Sequence, residues 1–344
     1  MKTLDLMFQT MLAELSQRSL DAAFTTDFPL SGRFVKNVSK GREFWYFADG
    51  DQRRYVGKKD DSEINKRVEE FSALKDDFKA RRKLVSTLTR EAGLQTPDRM
   101  TGDVVEALAL AGIFRLRAVV VGTVAYQTYS GILGVRLPAT FAMTGDVDLA
   151  QDFAVSAEVK DSLPPVLPLL QTVDETFRPI PNITDKARVT AFEARSKYRV
   201  EFLTTHRASD DLTGHPSPMP ALGGASAEPL RYLDFLIRDP VRTVMLHKAG
   251  VSITVPAPER YAVHKLIVGT KRRTGQQGAL KRDKDIRQAG SLIEALTATR
   301  RQMELSEAWQ EAWERGDAWR EALTAGRAML SKDANDALAS ALGE

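Results

Sequence analysis

The chain contains no cysteine. Disulfide staples, thiolate metal sites and a cysteine nucleophile are therefore excluded. Four histidines, His206, His215, His247 and His264, are scattered without metal-ligand spacing, which argues against the common zinc arrangements. No window approaches the ~20 apolar residues that a membrane-spanning helix needs. The opening segment MKTLDLMFQTMLAELSQR carries acids and lacks an unbroken apolar run, so it does not read as a signal peptide. The expectation is a cytoplasmic protein of bacterial type with no membrane partner. An excess of one charge sign is missing too: 49 Lys and Arg stand against 46 Asp and Glu, a formal charge of +3. That balance does not by itself imply a nucleic-acid partner, but local basic clusters could still bind one. No internal repeat is evident.

What is present is an ordinary globular composition, 344 residues with 43% hydrophobic and 28% charged. That is long enough for two or three domains with a sizeable core. Residues 3–23 carry apolar side chains at helical spacing. Residues 31–57 switch to short strands separated by turns at Lys40-Gly41 and Asp49-Gly50-Asp51. A long amphipathic helix follows over about 62–92, carrying the cluster Lys79, Arg81, Arg82, Lys83. This cluster reads as a solvated helix face, with an RNA-phosphate contact as the alternative. Asp98 or Thr101 caps a helix running to Gly112. LRAVVVG reads as a buried strand, VAYQTYSGIL as a helix, 137–144 as a connector, and DVDLAQ and YRVEFLT as strands. The stretch 161–187 is expected to be a loop with a short helix, and 208–229 a long loop. RYLDFLIRD, RTVML and VSITVP read as three strands, and everything from Pro258 onward as helix. Trp309, Trp313 and Trp319 read as helix-packing residues. The expected division is 1–98 (helix, β-meander, long helix), 99–256 (an α/β core) and 257–344 (helical).

The chemistry concentrates after the strand AVVVG. Gly122-Thr123 opens a helix beside a strand, where backbone N–H groups can hold phosphate. Downstream, Asp146 and Asp148 sit two residues apart on a strand and so share a face. Such a pair suits Mg²⁺, which takes oxygen ligands and is usually shared with substrate phosphates. An Asp-x-Asp alone is weak, since chance supplies about six acidic pairs at this spacing in a chain of this composition. The order raises its value: strand, Gly-Thr, helix, connector, acidic strand, then Glu201 in the middle of YRVEFLT. A carboxylate in so apolar a strand is costly unless paired, hydrated or metal-bound. An edge-strand acid paired with Arg199 or Lys197 is the structural alternative. Twenty-two residues separate Thr123 from Asp146, and the site requires the helix and the Pro138 connector to absorb them.

With these residues in place, the arrangement resembles the nucleotidyltransferase superfamily related to DNA polymerase beta. VGTVAYQTY, LGVRLP, TGDVDLA, RVEFL, PERYAVHKLIV and KRDKDIRQA look like a bacterial nucleotidyltransferase family related to abortive-infection type toxins. The resemblance implies an α/β (α+β) fold with a mixed-sheet core, flanked by an N-terminal helix/β-hairpin region and a C-terminal helical bundle. It implies Mg²⁺-dependent transfer of a nucleoside monophosphate from an NTP such as ATP to a hydroxyl acceptor, RNA (notably tRNA) or protein. It allows a toxin role with a cognate antitoxin. A non-catalytic nucleotide- or RNA-binding protein on the same fold is the alternative. By resemblance, Gly122 and Thr123 would approach the phosphates, Asp146 and Asp148 would bind Mg²⁺ together with the triphosphate, and Glu201 would hold the second metal or help deprotonate the acceptor hydroxyl. Lys265 in the His-Lys-Leu helix would lie near the nucleotide, and Asp285 would orient Lys265 or another basic side chain. Lys265 can equally be a snorkelling surface lysine, His264 reads as structural, and Asp285 can simply cap or pair on a helix surface. Arg272, Arg273, Lys281, Arg282, Lys284 and Arg287 form a basic cluster, read either as a solvated helix pair or as a site for an acidic acceptor or the triphosphate.

Overall fold

The computed structural model describes residues 1–23, 32–39, 42–49, 52–139, 145–158, 162–206, 215–272 and 275–344. The expected turns at Lys40-Gly41 and Gly50-Asp51, the end of the 137–144 connector, residues 207–214 and Arg273 lie outside them. Helix α1 (Leu6–Ala22) precedes an antiparallel meander of β1 (Arg33–Ser39), β2 (Arg42–Asp49) and β3 (Gln52–Lys58). The long helix α2 (Ser62–Arg90) and then α3 (Arg99–Leu110) follow. Asp98 caps α3, accepting from the Thr101 N–H at 3.0 Å and the Thr101 hydroxyl at 2.6 Å.

The central sheet is mixed. Strand β4 (Val119–Val121) leads into α4 (Gly122–Leu133), and β5 (Asp146–Ala150) returns antiparallel to β4. Helices α5 (Phe153–Glu158) and α6 (Val166–Gln171) precede the hairpin β6 (Arg178–Pro181) and β7 (Val189–Glu193). Strand β8 (Arg199–Thr205) runs parallel to β5 on one side. On its other side it pairs with β7 and with β10 (Ser226–Leu230), which also pairs the short β9 (Ser217–Pro218). This mixed α/β arrangement agrees with the fold expected from the sequence. The strands β6 and β10 fall in stretches expected to be loop because their sequences, RPIP and SAEPL, contain proline. Proline is tolerated in β6 because that strand is an edge, paired only to β7.

One strand expectation is corrected. RYLDFLIRD is not a strand: Leu233–Leu236 form the single helical turn α7, entered through Tyr232 at φ +68. Leu233, Phe235 and Leu236 are all buried, and a short apolar run cannot be assigned by periodicity alone. The hairpin β11 (Val241–Met245) and β12 (Val251–Val255) turns at Lys248-Ala249-Gly250 as expected.

Helices α8 (Pro258–Thr270), α9 (Gln276–Ala298), α10 (Gln302–Glu314), α11 (Asp317–Arg327) and α12 (Lys332–Leu342) complete the chain. One hydrophobic cluster continues from the sheet into these helices, from Val104 and Phe202 to Leu296 and Leu338. The tryptophans pack rather than stack outward: Trp309 lies on Trp313 at 6.3 Å, and Trp319 meets Tyr232 edge-on at 4.6 Å. Three tyrosines, Tyr126 and Tyr129 of α4 and Tyr261 of α8, pack with centroids 5.1 to 6.4 Å apart. They fix α8 against the helix that Gly122 opens.

The basic run on α2 divides. Arg81 is 4% exposed and is not part of a solvated face. Its Nε donates to Asp77 at 2.7 Å and its NH1 to the Ala249 carbonyl at 2.9 Å. It therefore ties α2 to the β11–β12 turn. Arg81→Met keeps the apolar stem and removes both charge-assisted bonds. It should lower stability in urea unfolding by about 2–3 kcal/mol; an unchanged midpoint would count against this structural role.

Candidate active site

The site begins at the end of β4. Gly122 has φ +67, a region that favours glycine. A Cβ there would also stand 2.7 Å from Oδ2 of Asp148. Glycine is thus required both by the turn and by the carboxylate against it. Thr123 is the second residue of α4, and its hydroxyl accepts from Lys284 Nζ at 2.9 Å. The Tyr261 hydroxyl lies 2.9 Å from the Gly122 carbonyl and 3.0 Å from Gln288 Oε1. The Gly-Thr turn is therefore held from α8 and α9.

Strand register assembles the carboxylates. Val121 faces Asp148 across the antiparallel β4–β5 pair, and Asp148 faces Glu201 across the parallel β5–β8 pair. Val147, Leu149, Val200 and Phe202 are buried on the opposite face, so Asp146, Asp148 and Glu201 share one face by the period-2 rule. The 22 residues between Thr123 and Asp146 do not separate them, because the chain re-enters the sheet beside the strand that ends at Gly122. The edge-strand part of the alternative for Glu201 fails, and of its two named partners Arg199 reaches it only at the limit of an ion pair. Strand β8 is internal, and Arg199 lies nearer Glu193 (3.2 Å) than Glu201 (4.0 Å). Lys197 also pairs with Glu193, at 3.5 Å.

Like charges dominate the electrostatics. Desolvation, then the neighbouring Asp146 and Glu201, push the Asp148 carboxyl up to about 7, with Lys265 and Lys281 acting in the opposite direction. Glu201 is raised by burial and then by Asp146. Such a set favours a cation, and its donors are the hard oxygens that Mg²⁺ takes. The three carboxylates are not drawn within 4.8 Å of one another. Among the described residues, the set that close is Asp103, Glu106 and His247, elsewhere in the fold. Lys248 already pairs with both carboxylates of that set, its Nζ 2.6 Å from Asp103 and 2.5 Å from Glu106.

Lys265 and Asp285 are both buried, at 9% and 3% exposure, so neither sits on a solvated surface. Lys265 Nζ donates to Asp285 Oδ1 at 2.5 Å, and Arg272 Nε donates to Oδ2 at 2.7 Å. Asp285 is desolvated, yet Lys265 and Arg272 hold its carboxyl below the usual range. It thus anchors two cations rather than meeting phosphate itself. Lys265 Nζ also lies 5.2 Å from the Tyr261 ring centroid, a cation–π distance. His264 is buried and its pKa falls to about 3, by desolvation and then by Lys265. It is neutral at physiological pH and structural. Tyr261 carries no polar signal in the sequence, since it sits inside an apolar helix stripe. Lys281 and Lys284 had a signal: three residues apart on a helix, they share a face, and Thr123 lies against it.

A nucleotidyltransferase family model matches residues 99–314, more than half of the chain. The chain belongs to this nucleotidyltransferase family. No curated protein and no solved structure matches it significantly. Family membership makes this nucleotidyltransferase a transferase of phosphorus-containing groups with an NTP as substrate, and enzymes of this class typically use divalent metals. Among the described residues, no helix is long and apolar enough to cross a membrane.

The repulsion has a measurable consequence. A carboxyl whose folded pKa exceeds its unfolded value destabilises the fold as pH rises from about 4 through about 7. Asp148→Asn should therefore melt higher than wild type at pH 8 in EDTA, and the gap should narrow toward pH 4. Mg²⁺ should raise the melting temperature of wild type but not of the variant. Lower stability of Asp148→Asn at pH 8 would show that the charge is satisfied within the protein.

Proposed function

We propose that the protein transfers a nucleoside monophosphate from an NTP to a hydroxyl acceptor, releasing pyrophosphate. The observation that carries this reading is the register Val121–Asp148–Glu201, which puts three carboxylates beside the Gly122-Thr123 turn. Two divalent cations held by Asp146, Asp148 and Glu201, Mg²⁺ by donor type, would supply Lewis-acid charge neutralisation at the attacking and leaving oxygens.

The protein's own groups have distinct tasks. The Gly122 and Thr123 backbone N–H groups at the start of α4 receive phosphate oxygens. Lys284, with Lys281 on the same helix face, offers positive charge to the triphosphate. Lys265, held by Asp285, is the buried cation nearest in its effect on Asp148, and balances negative charge that grows as pyrophosphate leaves. The acceptor oxygen forms a bond to the α-phosphorus as the bond to the β-phosphate bridging oxygen breaks. Glu201 either holds the second metal or takes the hydroxyl proton, which then passes to solvent. Positioning and charge neutralisation suffice for such a transfer, so no covalent nucleophile is needed.

The acceptor is a macromolecular hydroxyl, an RNA end such as that of tRNA or a protein side chain. The resemblance to abortive-infection toxins extends the proposal to growth arrest relieved by a cognate antitoxin, acting in the cytoplasm. Incubation with α-labelled NTPs, Mg²⁺ and total RNA or cell extract tests the core reading. Label should enter a macromolecule with wild type and fall to background with Asp146→Asn or Asp148→Asn. Lys265→Met should lose about 100- to 1000-fold, the scale of removing one preorganised charge-stabilising donor. Full activity in Glu201→Gln would remove Glu201 from the site. Tight NTP binding without transfer to any acceptor would assign the chain to the non-catalytic alternative.

A further inference from the structure

The meander β1–β2–β3 lies outside the family-matched residues 99–314, and the proposed transfer does not use it. Its register sorts its side chains onto two faces. One face packs on α2. Phe34 and Phe47 meet Phe71 edge-on at 5.0 and 5.7 Å, and Trp45 Nε1 donates to Asn65 at 2.9 Å. A Cβ on Gly57, which pairs with Trp45, would collide with Ile64 of α2.

The alternate pairs point away from α2. They are Arg33↔Ala48, Val35↔Tyr46 and Asn37↔Phe44, continued to β3 by Ala48↔Arg53 and Phe44↔Lys58. On this outer face Val35, Phe44 and Tyr46 are half-buried in the middle, and Arg33, Arg53 and Lys58 are exposed around them. No ion pair among the described residues engages those three cations. The meander's described acids, Glu43 and Asp49, fall by alternation on the α2 side, where Glu43 pairs with Lys59. Among the described residues, the outer face therefore combines aromatic rings with charge of one sign.

We propose that this outer face binds single-stranded RNA and holds the acceptor strand of the transfer reaction; its identification as acceptor rests on the function proposed above. Unpaired bases present π-faces that stack on aromatic side chains, while a basic rim tracks the phosphates. Phe44 and Tyr46 are two residues apart on one strand, roughly 7 Å, so each ring can take its own base. Cations flank them on β1 and β3. A duplex hides its base faces from these rings. An acidic peptide would satisfy the cations but brings no base to stack on the rings.

The test is fluorescence anisotropy with a fluorescein-labelled 20-nucleotide mixed-sequence RNA. The full chain carries Asp148→Asn, so that binding is read without turnover. Phe44→Leu and Tyr46→Leu keep apolar volume and remove the ring, and each should weaken binding about tenfold. The triple variant Arg33→Gln, Arg53→Gln, Lys58→Gln should lower the salt slope of log K by about 2, from three lost phosphate contacts on a single strand. A control triple, Lys186→Gln, Arg300→Gln, Lys332→Gln, removes the same charge elsewhere and should bind as the parent does. Equal weakening by the control would reduce the effect to gross charge and overturn the proposal. So would equal affinity for duplex RNA or poly-glutamate, or a dimer in sedimentation that the leucine variants dissociate. If a leucine variant melts lower than the parent, the charge triple, placed on exposed side chains, decides alone. RNA binding at the face without label transfer by wild type would sink the transferase reading and leave the face standing. Transfer to RNA unaffected by the face variants would do the reverse.

Discussion

The site depends on one constraint, the register that seats β5 between β4 and β8. A shift of one residue would turn Asp146 and Asp148 into the apolar core and bring Val147 and Leu149 to the surface. The buried side chains of β5 and β8 forbid that shift, since Val147, Leu149, Val200 and Phe202 are all at 1% exposure or less. The same packing that stabilises the sheet therefore fixes three acids on one face, where they repel. Stability and chemistry pull in opposite directions at Asp148, as they often do at sites kept in a charge state the fold does not favour.

Positive charge reaches this face from the helices that follow the sheet. Lys265 comes from α8, and Lys281 and Lys284 come from α9. Asp285 is the counterweight to a buried lysine and to Arg272, at 2.5 and 2.7 Å. Its desolvation would otherwise be costly, and two cations are what compensate it. The tyrosine cluster of α4 and α8, with the Tyr261 hydroxyl on the Gly122 carbonyl, makes the helical segment and the Gly122-Thr123 turn one packed unit. Movement of α8 would thus alter both the turn and the position of Lys265.

Much of the fold was legible because its elements are strongly patterned. α2 follows the helical period, and β4, β5 and β8 follow a buried-strand pattern. The elements that escaped are short and irregular in composition. RPIP and SAEPL pair as strands although proline argues against it, because an edge or a neighbouring strand supplies the pairing. LDFL turned into a helix because three apolar residues in a run of four carry no decisive period. Arg81 looked solvated within a basic run, and only packing against Ala249 and Asp77 shows that it is a buried tie.

The candidate residues Gly122, Thr123, Asp146, Asp148, Glu201, Lys265 and Asp285 could all be named from residue type, spacing and resemblance. Local sequence determines these features because chain chirality and side-chain periodicity act over a few residues. A glycine opening a helix and two aspartates on one strand face are local facts. Which strands become neighbours is not a local fact. Only the tertiary structure decided that a 22-residue excursion returns Asp146 beside β4, that Glu201 is internal, and that Asp285 serves Lys265 and Arg272. Those outcomes follow from long-range burial and charge compensation, which no short window of sequence contains.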